Sequence, residues 1–321
     1  MTVERSDSLN QFELKISPHL HSGWTTKKVM WYVNLSLLPC VISAVIFFGW
    51  QQLFIIFTSI FFACGTEALI QKLSKRKISI DDGSAVLTGL LLALTLPPNF
   101  SLWATAIGSA FAIGIGKQVF GGLGFNIFNP ALVGRAFLQA AFPVQITTWT
   151  MPNYSIDSVT LATPLAAFKF DKIITPLSSM LIGNVGGCIG ETSGIAILLG
   201  GLFLIAVRIV NWRIPLSIII GVFIFGGIFF LIDPMEYPSP IFHIFAGGFL
   251  LGAFFMATDY VTSPVTAKGM YIFGLGIALV LVIIRLFGGL PEGVMYAILF
   301  MNAFVPIINR YTLPEPFGLR K

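Results

Sequence analysis

Ten apolar runs, at about residues 29–49, 52–70, 84–97, 100–116, 129–142, 193–210, 214–232, 242–257, 269–286 and 292–308, fill most of the sequence. A full helical crossing of a bilayer needs roughly 20 residues, so the third, fifth and eighth runs are short. Their ends carry proline, glycine or polar residues, as broken or half helices do. Only 10% of the 321 residues are charged while 56% are hydrophobic, too few charges to solvate a globule around that much apolar surface. The sequence therefore specifies an all-α polytopic membrane protein of about ten segments.

The bases orient it. If the segments alternate, all of the 19 Lys and Arg except Arg135, Lys169, Lys172 and Arg285 fall on one side, which the excess of positive charge marks as cytoplasmic. Both termini are expected there, and the one long loop outside. A formal charge of +5 does not point to nucleic acid, because the bases sit in short loops beside apolar spans. The first 17 residues mix acids with bases and lack an apolar core and a cleavage site, so no signal peptide is expected. Cys40, Cys64 and Cys188 form no C-x-x-C pair, so neither a disulfide nor zinc is expected. His19 and His21 lie in an interfacial leader.

An internal echo suggests how the segments are arranged. Lys117-Gln118-Val119-Phe120-Gly121-Gly122-Leu123 returns as Arg285-Leu286-Phe287-Gly288-Gly289-Leu290, and the third run resembles the eighth. An offset of five segments is odd, which makes the halves two inverted five-segment repeats whose short helices meet near the midplane. The expected organisation is a leader (1–28), a first membrane repeat (29–142), an external loop with re-entry (143–185), a second repeat opened by a hinge (186–310) and a tail (311–321).

That hinge, Gly186 to Gly194, contains four glycines, with Thr192 or Ser193 placed to cap the following helix. A helix start of this kind offers free N–H groups to a phosphate, and a plain capped turn is the other reading. Polar residues inside apolar sequence supply the other candidates. Asn126, Asn129 and Arg135 lie in GKQVFGGLGFNIFNPALVGR, where Arg135 either makes a structural pair or binds an anion. Asp259, in MATDYVTSP, either serves an ion path or caps a helix. Asp81-Asp82-Gly83-Ser84 is expected to cap the third run, and Glu67 to be solvated or paired near Lys72. Hydrolase, nucleotide-loop and iron–sulfur motifs are absent from the sequence.

Taken together, SPHLHSGWTTKKVM, DDGSAVLTGLLLALTLPPN, GGLGFNIFNPALVGRAF, GETSGIAILLGG and FFMATDYVTSP resemble the family that contains the D subunit of the Rnf electron-transport complex and the B subunit of the sodium-pumping NADH:quinone reductase. The long N-terminal extension typical of the latter is missing, which favours the Rnf branch. The resemblance implies a bacterial inner-membrane subunit of a ferredoxin:NAD oxidoreductase that couples electron flow to cation transport. It implies FMN esterified to Thr192 within Gly190-Glu191-Thr192-Ser193, and a second, non-covalent flavin, riboflavin or FMN, between the FNPA and MATD segments. NAD and cluster sites would then reside in partner subunits. A solute channel or transporter of inverted-repeat architecture and a structural anchor remain the alternatives from other classes.

Overall fold

The computed structural model describes residues 23–152 and 162–314, so His19, His21, Arg5, Lys15, the centre of the long loop and the tail from residue 315 lie outside the described residues. Fifteen α-helices build the rest. Helix α1 (Thr26–Ser36) starts at Thr25, whose hydroxyl accepts from the Lys28 amide, and passes at Leu37 into α2 (Leu38–Phe48), where Pro39 fits the first turn. Then follow α3 (Gln52–Leu73), α4 (Ser84–Leu94), α5 (Leu102–Ile113) with a π-turn at Gly114–Gln118, and α6 (Pro130–Ala141). Three short helices, α7 (Pro143–Ile146), α8 (Pro164–Asp171) and α9 (Leu177–Ile182), precede α10 (Gly194–Ala206) and α11 (Arg213–Ile232). Helices α12 (Pro240–Phe245) and α13 (Phe249–Leu251) are two pieces of one interrupted segment that ends in a π-turn at Gly252–Met256. Helices α14 (Ala267–Phe287) and α15 (Val294–Thr312) complete the chain.

Among the described residues, five stretches are long and apolar enough to cross a membrane: Thr26–Phe48, α3, α11, α14 and α15. Their outward faces carry large apolar side chains, Phe57 and Leu231 among them, as lipid contact requires. Helices α4 and α10 have 11 and 13 residues. At 1.5 Å per residue these span about 17 and 20 Å, short of the roughly 30 Å of hydrocarbon. The sixth apolar run is expected to continue to residue 210, but its helix stops at Ala206. Arg208 adopts a left-handed conformation there, φ 60°, and the amides of Ile209 and Val210 fold back onto the Leu204 carbonyl.

Helix α3 packs on α4 and α5, α5 on α6, α11 on α14 and α14 on α15. With no hydrophobic force between helices in lipid, close approach of small residues holds such contacts. At Gly89 of α4 an added Cβ would lie 2.8 Å from Ile60 Cα, and Ser59 Oγ donates to the Gly89 carbonyl at 2.6 Å while pairing with Ser109 Oγ at 2.9 Å.

The same helices bury an ion pair that the charge pattern alone places elsewhere. Lys117, counted among the cytoplasmic loop bases, is 1% exposed, because the helix runs on through it as a π-turn and turns its side chain onto α3 and α4. Its Nζ lies 2.8 Å from both Glu67 carboxylate oxygens and 2.6 Å from Ser84 Oγ, while Gln118 and Gln71 donate to Glu67 Oε1. Of the two acids expected to cap α4, Asp82 does so, accepting from the Ser84 amide at 2.7 Å. Asp81 instead pairs at 2.9 Å with Lys27, which holds its exposed carboxyl below the usual range.

Two glycine substitutions separate packing from propensity. Gly89→Ala is expected to destabilise by about 1–3 kcal/mol through overpacking against α3. Gly65→Ala, with nothing within 4 Å of the new Cβ, should be neutral or gain up to about 1 kcal/mol of helix propensity. Thermal unfolding of the two variants in nanodiscs checks the order, and the reverse order would refute the α3–α4 contact.

Candidate functional site at the broken helix ends

Where α4 stops, its last carbonyls face protein rather than water and must find donors. The glycine hinge supplies two of them: the Ile189 amide donates to Leu96 O at 2.9 Å and the Gly190 amide to Leu94 O at 2.8 Å. Gly190 has to be glycine for this approach, since a Cβ there would sit 2.6 Å from Leu94 Cβ. Arg135 of α6 takes the carbonyl between them, Nη1 donating to Thr95 O at 2.5 Å and to Cys188 Sγ at 3.3 Å. Its other terminal nitrogen forms a 2.6 Å ion pair with Glu292, in the turn before α15. One guanidinium thereby joins α4, α6, the hinge and the last helical hairpin.

Within the hinge, Ser193 caps α10, accepting from the Ala196 amide, which decides between the two candidate caps. The Thr192 hydroxyl next to it is buried and has no hydrogen-bond partner. Glu191 Oε1 accepts from the Cys188 amide at 3.0 Å, while its Oε2 is buried without a partner. The fold brings ligand atoms of Cys188, Glu191 and Glu292 within 4.8 Å of one another, although about a hundred residues separate the last from the other two.

The second interrupted segment is completed in a similar way. Arg285 of α14, placed by the sequence among the few bases of the outer side, is 5% exposed and donates to the carbonyls of His243 and Ala246 at the end of α12. No sequence signal distinguishes it from a loop base except its place in the echoed Gly-Gly-Leu motif.

Asn126, Asn129 and Asp259 come together in a different place, on the wall of a cavity of about 60 Å³ that Ser84, Lys117 and Tyr260 also line. Asn129 is the N-cap of α6, its Oδ1 accepting from the Ala131 amide at 3.0 Å. Its Nδ2 reaches across to Met256 O at 3.1 Å, where the eighth segment ends in its π-turn. Asn126 donates to Phe128 O, and Asp259 accepts from Thr262 Oγ1 at 3.1 Å. Arg135 and Glu191 line a separate cavity of about 30 Å³, and Gly190, Thr192 and Ser193 line neither.

This is a multi-pass helical membrane protein with broken helices, two buried arginines, Arg135 and Arg285, being turned onto their ends. It belongs to the NQR2, RnfD, RnfE family, which it matches over residues 13–318. It is 45% identical to the D subunit of the proton-translocating ferredoxin:NAD(+) oxidoreductase complex of Clostridium ljungdahlii, over 97% of this chain and 98% of that one. It is 44% identical, over 98% of both chains, to the D subunit of the Na(+)-translocating ferredoxin:NAD(+) oxidoreductase complex of Acetobacterium woodii. Identity to the D subunit of the ion-translocating oxidoreductase complex of Aliivibrio salmonicida is 37%, over 97% of this chain and 99% of that one.

Arg135→Met leaves Glu292 and the Thr95 carbonyl without their donor and is expected to lower stability by about 3–5 kcal/mol. Adding Glu292→Leu should recover part of that loss, since the unpaired carboxylate goes with it. Unfolding of the two single variants and the double variant forms a cycle. Strict additivity would show that the pair is not coupled.

Proposed function

We propose that this chain is the flavin-carrying integral membrane subunit of an ion-translocating electron-transport complex of the Rnf type, which moves electrons between ferredoxin and NAD and couples them to cation transport. It works with the other membrane and redox subunits of that complex and holds no complete active site alone. Near-complete coverage of relatives named as D subunits supports this reading over the B subunit of a sodium-pumping quinone reductase and over a solute channel.

The observation that carries the flavin is the Thr192 hydroxyl, buried and without an acceptor at the start of α10. Esterification to the phosphate of FMN removes the unpartnered O–H, and the first amides of α10 suit the phosphate charge. FMN supplies the one- and two-electron chemistry, while the chain fixes its place. Because the hydroxyl is enclosed, attachment requires the hinge to open, a movement that four glycines in nine residues make cheap. Gly190 holds the hinge in register against α4, Glu191 braces its turn at Cys188, and Ser193 keeps α10 capped. A second, non-covalent flavin, riboflavin or FMN, is placed in this reading at the cavity lined by Asn126, Asn129 and Lys117, which at about 60 Å³ has to widen to admit it, and Asp259 on the same wall is placed for an ion path.

The ten-segment inverted repeat gains support from matching partners. Helices α3, α5 and α6 pack in sequence as α11, α14 and α15 do. In this arrangement 29–142 and 186–310 are the two repeats, both termini are cytoplasmic, 143–185 is external, and the membrane is the bacterial inner membrane.

Thr192→Val is expected to keep the fold and to abolish covalent flavin, whereas Ser193→Ala keeps the flavin and loses a helix cap worth about 1 kcal/mol. Intact-chain mass spectrometry reads the flavin adduct directly, and a flavinylated Thr192→Val chain would sink the assignment. Orientation is tested with single cysteines at Met235 and Ser74 in a background without the three native ones. An impermeant thiol reagent should label only the first in cells whose inner membrane is exposed and sealed, and the reverse pattern would invert the topology.

A further inference from the structure

Glu191 is 7% exposed and lines the 30 Å³ cavity, and its Oε2 accepts no hydrogen bond. Glu292 lines the same cavity; Arg135 occupies its Oε2, and its Oε1 has no partner. Carboxylate oxygens of the two residues approach within 4.8 Å. Two undonated carboxylate oxygens in one enclosed space are costly unless a positive charge lies between them.

The surroundings limit that charge to one. Facing the pair are Arg135 from α6, Cys188 from the hinge, Arg285 from α14 and Tyr296 from α15, with His243 of α12 behind Arg285. Two guanidiniums offset part of the pair's charge but donate to neither Glu191 Oε2 nor Glu292 Oε1, and Arg135 occupies the Cys188 sulfur, so the two free oxygens suit a single positive charge and a divalent ion would find its soft ligand taken. Space beside Glu191 comes from Gly248, where a Cβ would fall 2.7 Å from Oε2. We infer that Glu191 Oε2 and Glu292 Oε1 form a binding site for a monovalent cation, a sodium ion or a proton, separate from the Asp259 cavity. The relatives at 45% and 44% identity are named for different ions, so overall similarity does not choose between the two sources. The site does not depend on a flavin at Thr192.

Dicyclohexylcarbodiimide, which adds a buried protonated carboxyl across its C=N bond and rearranges to a stable N-acylurea, tests this on the intact complex in membrane vesicles, with the label mapped by peptide mass. Glu191 is expected to be labelled. If sodium is the ligand, NaCl but not KCl slows labelling about tenfold at constant pH. If the proton is, NaCl has no effect and labelling persists above about pH 7, where an ordinary exposed glutamate no longer reacts. Glu292→Gln removes one ligand and should abolish the sodium protection or move the pH profile toward that of an ordinary glutamate, and Gly248→Ala, which fills the space beside the other ligand, should abolish the sodium protection. An unlabelled Glu191, or one that titrates like an ordinary glutamate and ignores sodium in the unaltered complex, overturns the site. Flavin content of the same samples reports on Thr192 independently.

Discussion

A helix that ends inside a membrane leaves carbonyls that lipid cannot satisfy, and this requirement decides where the charged residues of the protein go. At the end of α4 the donors are two hinge amides and Arg135, and at the end of α12 they come from Arg285. At the second π-turn the donor is the Asn129 amide. Each of these groups would be expensive in hydrocarbon by itself. Set against an unfinished helix end, each removes a cost and fixes a distance between segments.

The Lys117–Glu67 pair has a different origin, since its hydrogen bonds go to side chains and to no carbonyl at a helix end. Lys117 and Glu67 are both shielded from solvent, and their position depends on the π-turn that carries the lysine inward. Buried pairs of this kind add little net stability compared with apolar residues of the same volume, but breaking one leaves an uncompensated charge. They therefore specify which helices meet more than they strengthen the contact.

How far the sequence discloses this can be followed residue by residue. The helical membrane class and the shortness of the third, fifth and eighth segments are visible in run length, because the bilayer sets a fixed scale. A cap at Thr192 or Ser193 is visible too, since capping is local chemistry, and Ser193 takes that place. The burial of Lys117 is not, because a lysine at the end of an apolar run reads as a loop anchor unless the helix is known to continue through it. Nor is the meeting of Glu191 with Glu292, which depends on the tertiary approach of the hinge to the final hairpin. Run length overestimates α10 because Val207, Ile209 and Val210 continue its apolar run around Arg208, while the left-handed turn at that residue is a matter of backbone conformation.

The ion pair between Arg135 and Glu292 joins residues 157 positions apart. At ribosomal speeds of about 5–20 residues per second, the arginine emerges roughly 8–30 s before its partner. Helix α6 is too short and too polar to settle in lipid alone during that interval, so Arg135 first rests on the already synthesised Thr95 carbonyl and on water. Arrival of α14 and α15 closes the network. The last hairpin is thus the keystone of biogenesis: a nascent chain truncated before it would present an unfinished, charge-bearing surface to the quality-control proteases of the membrane.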